Sequence, residues 1–112
     1  MEVSATNRNA GVSPRKVRQV LEPLPGKSVP EALNLLKFLT SPHGRLVAKI
    51  VKSAAANAEN NYSMDADALY IKRAIASDAQ RLRRVRPAPR GRIHRYQRRT
   101  SHITIVVDER ES

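Results

Sequence analysis

Cysteine is absent from the 112-residue sequence, which excludes disulfide scaffolding, thiolate zinc sites and cysteine nucleophiles together. Aromatic residues are reduced to Phe38, Tyr62, Tyr70 and Tyr96, too few for the stacked platform with which an RNA-recognition motif holds single-stranded bases. The histidines, His43, His94 and His102, lie at no zinc-binding spacing from one another. Ser101 and His102 are adjacent in a segment patterned as a strand, so they point to opposite faces and do not make a nucleophile and its base.

Carboxylates are scarce too: 10 acidic residues stand against 21 basic ones, and none occurs from Ala79 through Val107. Asp65 and Asp67 flank one alanine in a predicted turn, two carboxylates against the six or more oxygens that calcium takes. No apolar run reaches bilayer length, and the opening residues, Met1 to Arg8, lack a signal-peptide core. A soluble, intracellular protein without membrane partner, cofactor, metal or catalytic residue is expected. Asn61-Tyr62-Ser63 matches a glycosylation acceptor and is read as coincidence in such a protein.

What remains is a small, strongly basic chain with room for one core. The formal net charge is +11 while 40% of the residues are hydrophobic, which fits a folded body with a basic appendage rather than a disordered tail. Ser13-Pro14 has the form of a helix start, serine capping free amides and proline occupying the first turn, with Val17, Val20 and Leu21 on one face. Pro23, Pro25 and Gly26 stop that helix. Ser28-Val29-Pro30-Glu31 then has the capping-box spacing, and Ala32, Leu35, Leu36 and Leu39 recur at the helical period. Thr40-Ser41-Pro42 repeats the start signal before the longest stripe: Leu46, Val47, Ile50, Val51, Ala54, Ala55 and Ala58. The end of this helix, from Ser53 to Asn61, is made of small and amide residues. Two readings stand open there: plain helix propensity, or a thin face that lets RNA or a neighbouring backbone approach.

After a turn at Ser63 to Asp67 the period falls to two. Leu69, Ile71 and Ile75 alternate with Tyr70, Lys72, Ala74 and Ala76, and later Ile103, Ile105 and Val107 alternate with His102, Thr104 and Val106. An antiparallel pair follows, with Val3 and Ala5 supplying a third, edge strand. Between the paired strands lies a connection too long for an ordinary hairpin loop. It carries Arg81, Arg83, Arg84, Arg86, Arg90, Arg92, Arg95, Arg98 and Arg99, side chains whose planar fork matches phosphate oxygens bidentately. Pro87 and Pro89 favour extended backbone and Gly91 permits a positive torsion, so a long, thin arm with a bend near Arg86 to Arg92 is expected. Pro89-Arg90-Gly91-Arg92 also coincides with the core of a minor-groove AT-hook, although Ile93 replaces the proline expected next. An architectural DNA-binding protein wedging with Pro87 or Pro89, and an enzyme acting on nucleic acid with a metal held at Asp65 and Asp67, are the rivals to an RNA-binding reading.

Three stretches carry a resemblance: Ser13-Pro14-Arg15-Lys16-Val17-Arg18, Ser53-Ala54-Ala55-Ala56-Asn57-Ala58-Glu59-Asn60-Asn61, and Gly91-Arg92 continued by Arg99-Thr100-Ser101-His102-Ile103-Thr104-Ile105-Val106-Val107. In order and spacing the chain resembles the universal large-subunit ribosomal protein twenty-two family of bacteria and organelles. The resemblance implies an α+β fold, three helices on a small antiparallel three-stranded sheet with a long protruding basic β-hairpin. It implies one domain over residues 1–112, with 78–98 as arm and tip. The implied partners are large-subunit ribosomal RNA, neighbouring large-subunit proteins and the nascent polypeptide in the exit tunnel. The implied location is the large subunit of a cytoplasmic ribosome, an organellar one being left open. Residues expected at the RNA are Arg8, Arg15, Lys16, Arg18, Asn57, Asn60, the nine arginines of the arm, Ser101 and His102. The tunnel tip is expected at Leu82, Arg83, Arg84, Arg86, Pro87, Ala88, Pro89, Arg90, Gly91 and Arg92. Where the family commonly has Pro-Arg-Ala and a basic residue before Gly-Arg, this chain has Pro87-Ala88-Pro89-Arg90-Gly91-Arg92, one cation fewer and one proline more.

Overall fold

The computed structural model describes residues 2–39, 42–87, 89–91 and 93–110, and for 82, 84–87, 89 and 93–98 only the course of the backbone. Along the chain run β1 (Val3–Ala10), α1 (Pro14–Leu21), α2 (Val29–Phe38), α3 (His43–Tyr62), β2 (Leu69–Asp78), β3 (Leu82–Pro87), β4 (Ile93–Arg98) and β5 (Ser101–Glu109). Strands β1, β5 and β2 form an antiparallel sheet in that order, while β3 and β4 form a separate two-stranded antiparallel sheet. Helices α1 and α3 pack on the sheet and α2 lies mainly on α3.

The capping signals act as the sequence predicts for the first two helices. Ser13 Oγ accepts from the Lys16 amide with Pro14 in the first turn, and Ser28 Oγ accepts from the Glu31 amide. Helix α3 differs. The expected cap at Thr40 and Ser41 lies outside the described residues, and the residue ahead of His43 is Pro42, which makes no side-chain cap. This helix is held by packing instead: Val47, Ile50, Val51, Ala54 and Ala58 are buried. Gly44 in its first turn stands so close to α2 that an added Cβ would meet the Leu36 carbonyl oxygen at 3.0 Å. At its other end Ser63 takes a left-handed conformation (φ 52°), and the Met64 amide donates back to the Ala58 carbonyl oxygen at 3.1 Å.

The core lies between helices and sheet, where Leu69, Ile71, Ile103, Ile105 and Val107 meet Val17, Leu24, Val47 and Val51. Each such side chain contributes about 1.5–3 kcal/mol relative to remaining in water. The small residues of late α3 are used here, Ala54 and Ala58 lying under the sheet while Asn57 Nδ2 donates to the Ser4 carbonyl oxygen at 3.3 Å. The close approach anticipated for this face is thus to the chain's own strands.

One strand pattern is overturned. Ile75, expected inside, is 47% exposed, whereas Ala76, expected outside, is buried. The ladder to β5 shifts register between Ile71 and Arg73 at a β-bulge, and the extra residue inverts the alternation for the rest of β2.

Candidate nucleic-acid interface

Strands β2 and β5 continue directly into the arm, and the junction is tied across. The Ala79 amide donates to the Thr100 carbonyl oxygen at 3.1 Å, and the buried Thr100 hydroxyl donates to the Gln80 carbonyl oxygen at 2.5 Å. Beside them Arg99 pairs with Asp78, the last carboxylate before the basic stretch, at 3.6 Å. The two chain segments therefore leave the body side by side.

Beyond this neck the arm is a β-hairpin, as the resemblance implies. Leu82 to Pro87 pair in continuous register with Arg98 to Ile93, from Leu82 opposite Arg98 to Pro87 opposite Ile93. At the tip Arg90 (φ 65°) and Gly91 (φ 70°) are both left-handed, which reverses the chain; glycine adopts this freely and arginine at some cost. Pro89, Arg90 and Gly91 of the AT-hook-like stretch thus lie in the bend of a hairpin, and its Arg92 lies outside the described residues. The radius of gyration, 17.2 Å, exceeds the ~13 Å of a compact chain of this size, and the molecule measures 67 × 27 × 17 Å.

Arg81, Arg83, Arg90 and Arg99 are exposed. For Leu82, Arg84, Arg86, Pro87, Pro89, Arg95 and Arg98 the backbone is placed, whereas Ala88 and Arg92 lie outside the described residues. On the body, Arg15 and Lys16 are exposed on α1, and Arg8 is exposed on β1 near the neck end of the sheet. Arg18 joins them there, but part of its fork is engaged: Nε and one terminal nitrogen donate to the Ala76 carbonyl oxygen at 3.1 and 2.8 Å. That contact fastens α1 beside the root of the arm.

Two more of the residues expected at the RNA, Asn57 and His102, make hydrogen bonds within the body. Ser101 is fully buried, its hydroxyl without a hydrogen-bond partner among the described residues. His102 Nδ1 accepts from the Asn9 amide at 3.1 Å, where β1 shifts register and Asn9 is left-handed (φ 57°). Asn57 holds β1 as described, and Asn60 is exposed at the far end of the sheet from the neck. Asp65 Oδ1 accepts from the Asp67 amide at 3.0 Å, a local turn contact, and among the described residues no group of three metal-binding side chains forms. Sequence reasoning passed over Arg45, Lys49 and Lys52, although their spacing of four and three along α3 marks one helical face.

Comparison with known proteins places the chain in a family. The family described as Ribosomal protein L22p/L17e matches residues 5–108. The Large ribosomal subunit protein uL22 of Caldicellulosiruptor saccharolyticus is 49% identical over 110 residues, covering 98% of this chain and 90% of that protein. Its namesake from a Thermoanaerobacter species is 49% identical over 111 residues, 99% of this chain and 100% of the relative. The Dehalococcoides mccartyi protein of the same name is 48% identical over 107 residues, 96% of this chain and 98% of the relative.

Proposed function

The chain belongs to the ribosomal protein L22p/L17e family, whose members have a non-catalytic, structural, RNA-binding role in the ribosome, and from that premise we propose what its separate parts do. The arm threads between helices of the large-subunit RNA, and residues 82–92 form part of the wall of the nascent-peptide exit tunnel. The observation that carries this reading is the arm itself, a two-stranded basic ribbon whose strands, among the described residues, pair with no strand of the body. An isolated hairpin of this kind is marginal in water, and its like charges repel. A surrounding phosphate surface supplies both the neutralisation and the packing that it lacks.

Arg15 and Lys16 contact phosphates from α1, and Arg8, Arg81, Arg83 and Arg99 do so around the neck. The arginines of β3 and β4 line the passage. Arg18, Asn57, Ser101 and His102 act as positioning residues, keeping the root of the arm aligned. With about six phosphates neutralised, the logarithm of affinity falls with log salt at a slope of roughly −4 to −5.

The absence of native cysteine makes the test clean, because Arg90→Cys introduces a single attachment point. Large subunits carrying this variant and a stalled nascent chain are expected to crosslink from position 90 to both RNA and the nascent peptide. RNA crosslinks without peptide crosslinks would remove the tunnel assignment. Failure of the protein to sediment with large subunits after a moderate salt wash would remove the ribosomal RNA reading altogether.

A further inference from the structure

The arm does not hold all of the clustered positive charge of the chain. Arg45, Lys49 and Lys52 on α3 and Lys37 in the last turn of α2 rim a groove of about 980 Å3 between the two helices. No carboxylate lines it, and among the described residues none of these four cations enters an ion pair. The floor is aliphatic, formed in part by Leu33, Leu39 and Ala48. Between the lining residues Lys37 and Leu39, Phe38 is 80% exposed, the most exposed large hydrophobic side chain among the described residues.

These features separate the groove from the arm. A phosphate backbone gains nothing from an aliphatic floor, whereas apolar side chains of a partner do. An aliphatic trough, a rim of one sign and an adjacent exposed aromatic match a different ligand: a helix with an apolar stripe flanked by carboxylates. We propose that the α2–α3 groove docks an acidic amphipathic helix of a partner protein. Its apolar side chains seat on Leu33, Leu39 and Ala48, its carboxylates meet Lys37, Arg45, Lys49 and Lys52, and Phe38 packs against its end. This site is independent of the RNA reading of the arm.

Because a chain this basic attracts any acidic molecule, the test compares two synthetic peptides of equal length and composition. One has leucines at helical spacing flanked by glutamates; the other has the same residues scrambled so that no apolar stripe forms. Fluorescence anisotropy on the full chain is expected to show the amphipathic peptide binding about tenfold more tightly, with NMR amide shifts in 33–39 and 44–52. Phe38→Ala is expected to weaken the peptide about fivefold and the pair Lys49→Glu and Lys52→Glu about tenfold or more, while Phe38→Ala leaves the affinity for an oligouridine unchanged. Equal binding of the two peptides, or shifts confined to the arm, would overturn the proposal. So would displacement of the peptide by oligouridine accompanied by oligouridine-induced shifts in 44–52, which would assign the groove to nucleic acid.

Discussion

The Thr100 hydroxyl donates to the Gln80 carbonyl oxygen at 2.5 Å, bridging the two chain segments at the point where the body gives way to the arm. Thr100 is buried and Gln80 is exposed, so the bond reaches from the edge of the core to the first residues outside it. It works with the Ala79 amide on the Thr100 carbonyl oxygen to fix the angle at which the ribbon departs.

Thr100→Val keeps the shape and removes this hydroxyl. A loss of about 1 kcal/mol in urea unfolding is expected, the usual net value of one such bond. Hydrogen exchange should accelerate at Ala79, with little change in the centre of β5. Unchanged protection at Ala79 would mean that the neck is held by pairing alone.

Arg18 separates a structural from a phosphate-binding arginine. Its bidentate contact with the Ala76 carbonyl oxygen needs the fork, whereas a phosphate tolerates lysine. Arg18→Lys is therefore expected to cost about 1.5 kcal/mol in stability, as a charged hydrogen bond does. Binding of the folded variant to RNA should retain the parent's salt slope. Intact stability with a shallower slope would reverse the assignment.

The bulge in β2 predicts opposite outcomes for two isoleucines that the sequence pattern treats alike. Ile71 is fully buried, so Ile71→Ala should cost about 2–5 kcal/mol. Ile75 lies past the bulge and is 47% exposed, so Ile75→Thr should stay within about 0.5 kcal/mol of the parent in chemical denaturation. Comparable losses at both positions would place the register shift elsewhere.

Glu2 connects the start of β1 to β2. A hydrogen bond from Lys72 at 2.7 Å, reinforced by Arg73 at 2.5 Å, holds its carboxyl below the usual carboxylate range. The same bond to Glu2 holds the Lys72 ammonium above the usual lysine range. Asp108, 3.8 Å from Lys72, is also lowered, chiefly by the Glu109 amide at 2.8 Å. A lowered carboxyl stabilises above its unfolded pKa and loses that contribution as pH falls through the folded value. A raised ammonium stabilises below its unfolded pKa and loses it as pH rises through the folded value. The attachment of β1 should thus be firmest between the carboxylate and lysine ranges. Methyl NMR shifts of Val3 and Val107 should report loosening on the acid side, and Glu2→Gln should flatten it. These groups are exposed, so global stability should barely respond.

Much of this was legible in the sequence, for physical reasons that differ by element. The starts of α1 and α2 were readable because Ser13 and Ser28 act on amides three residues away. The stripe of α3 was readable because burial follows helical period; its start was not, since Pro42 precedes it without a capping side chain. Ile75 was misplaced because a one-residue bulge leaves no mark in an alternating pattern. The charge of the arm was readable residue by residue, whereas its strands were expected only through the family resemblance, since β3 and β4 offer no alternation of apolar residues to announce pairing. Ser101 and His102 carried the family resemblance, yet their places, a buried hydroxyl and a ring nitrogen facing the Asn9 amide, depend on β1, remote in sequence.

The arm departs from β2 and returns into β5, and these strands are paired with each other from 69–78 to 101–109. Exit and re-entry are thus neighbouring rungs of one ladder, and among the described residues the core is drawn from the body alone. A substitution at the tip is therefore separated from the body's ladder by the length of the ribbon, and its effect on the stability of the body should be small.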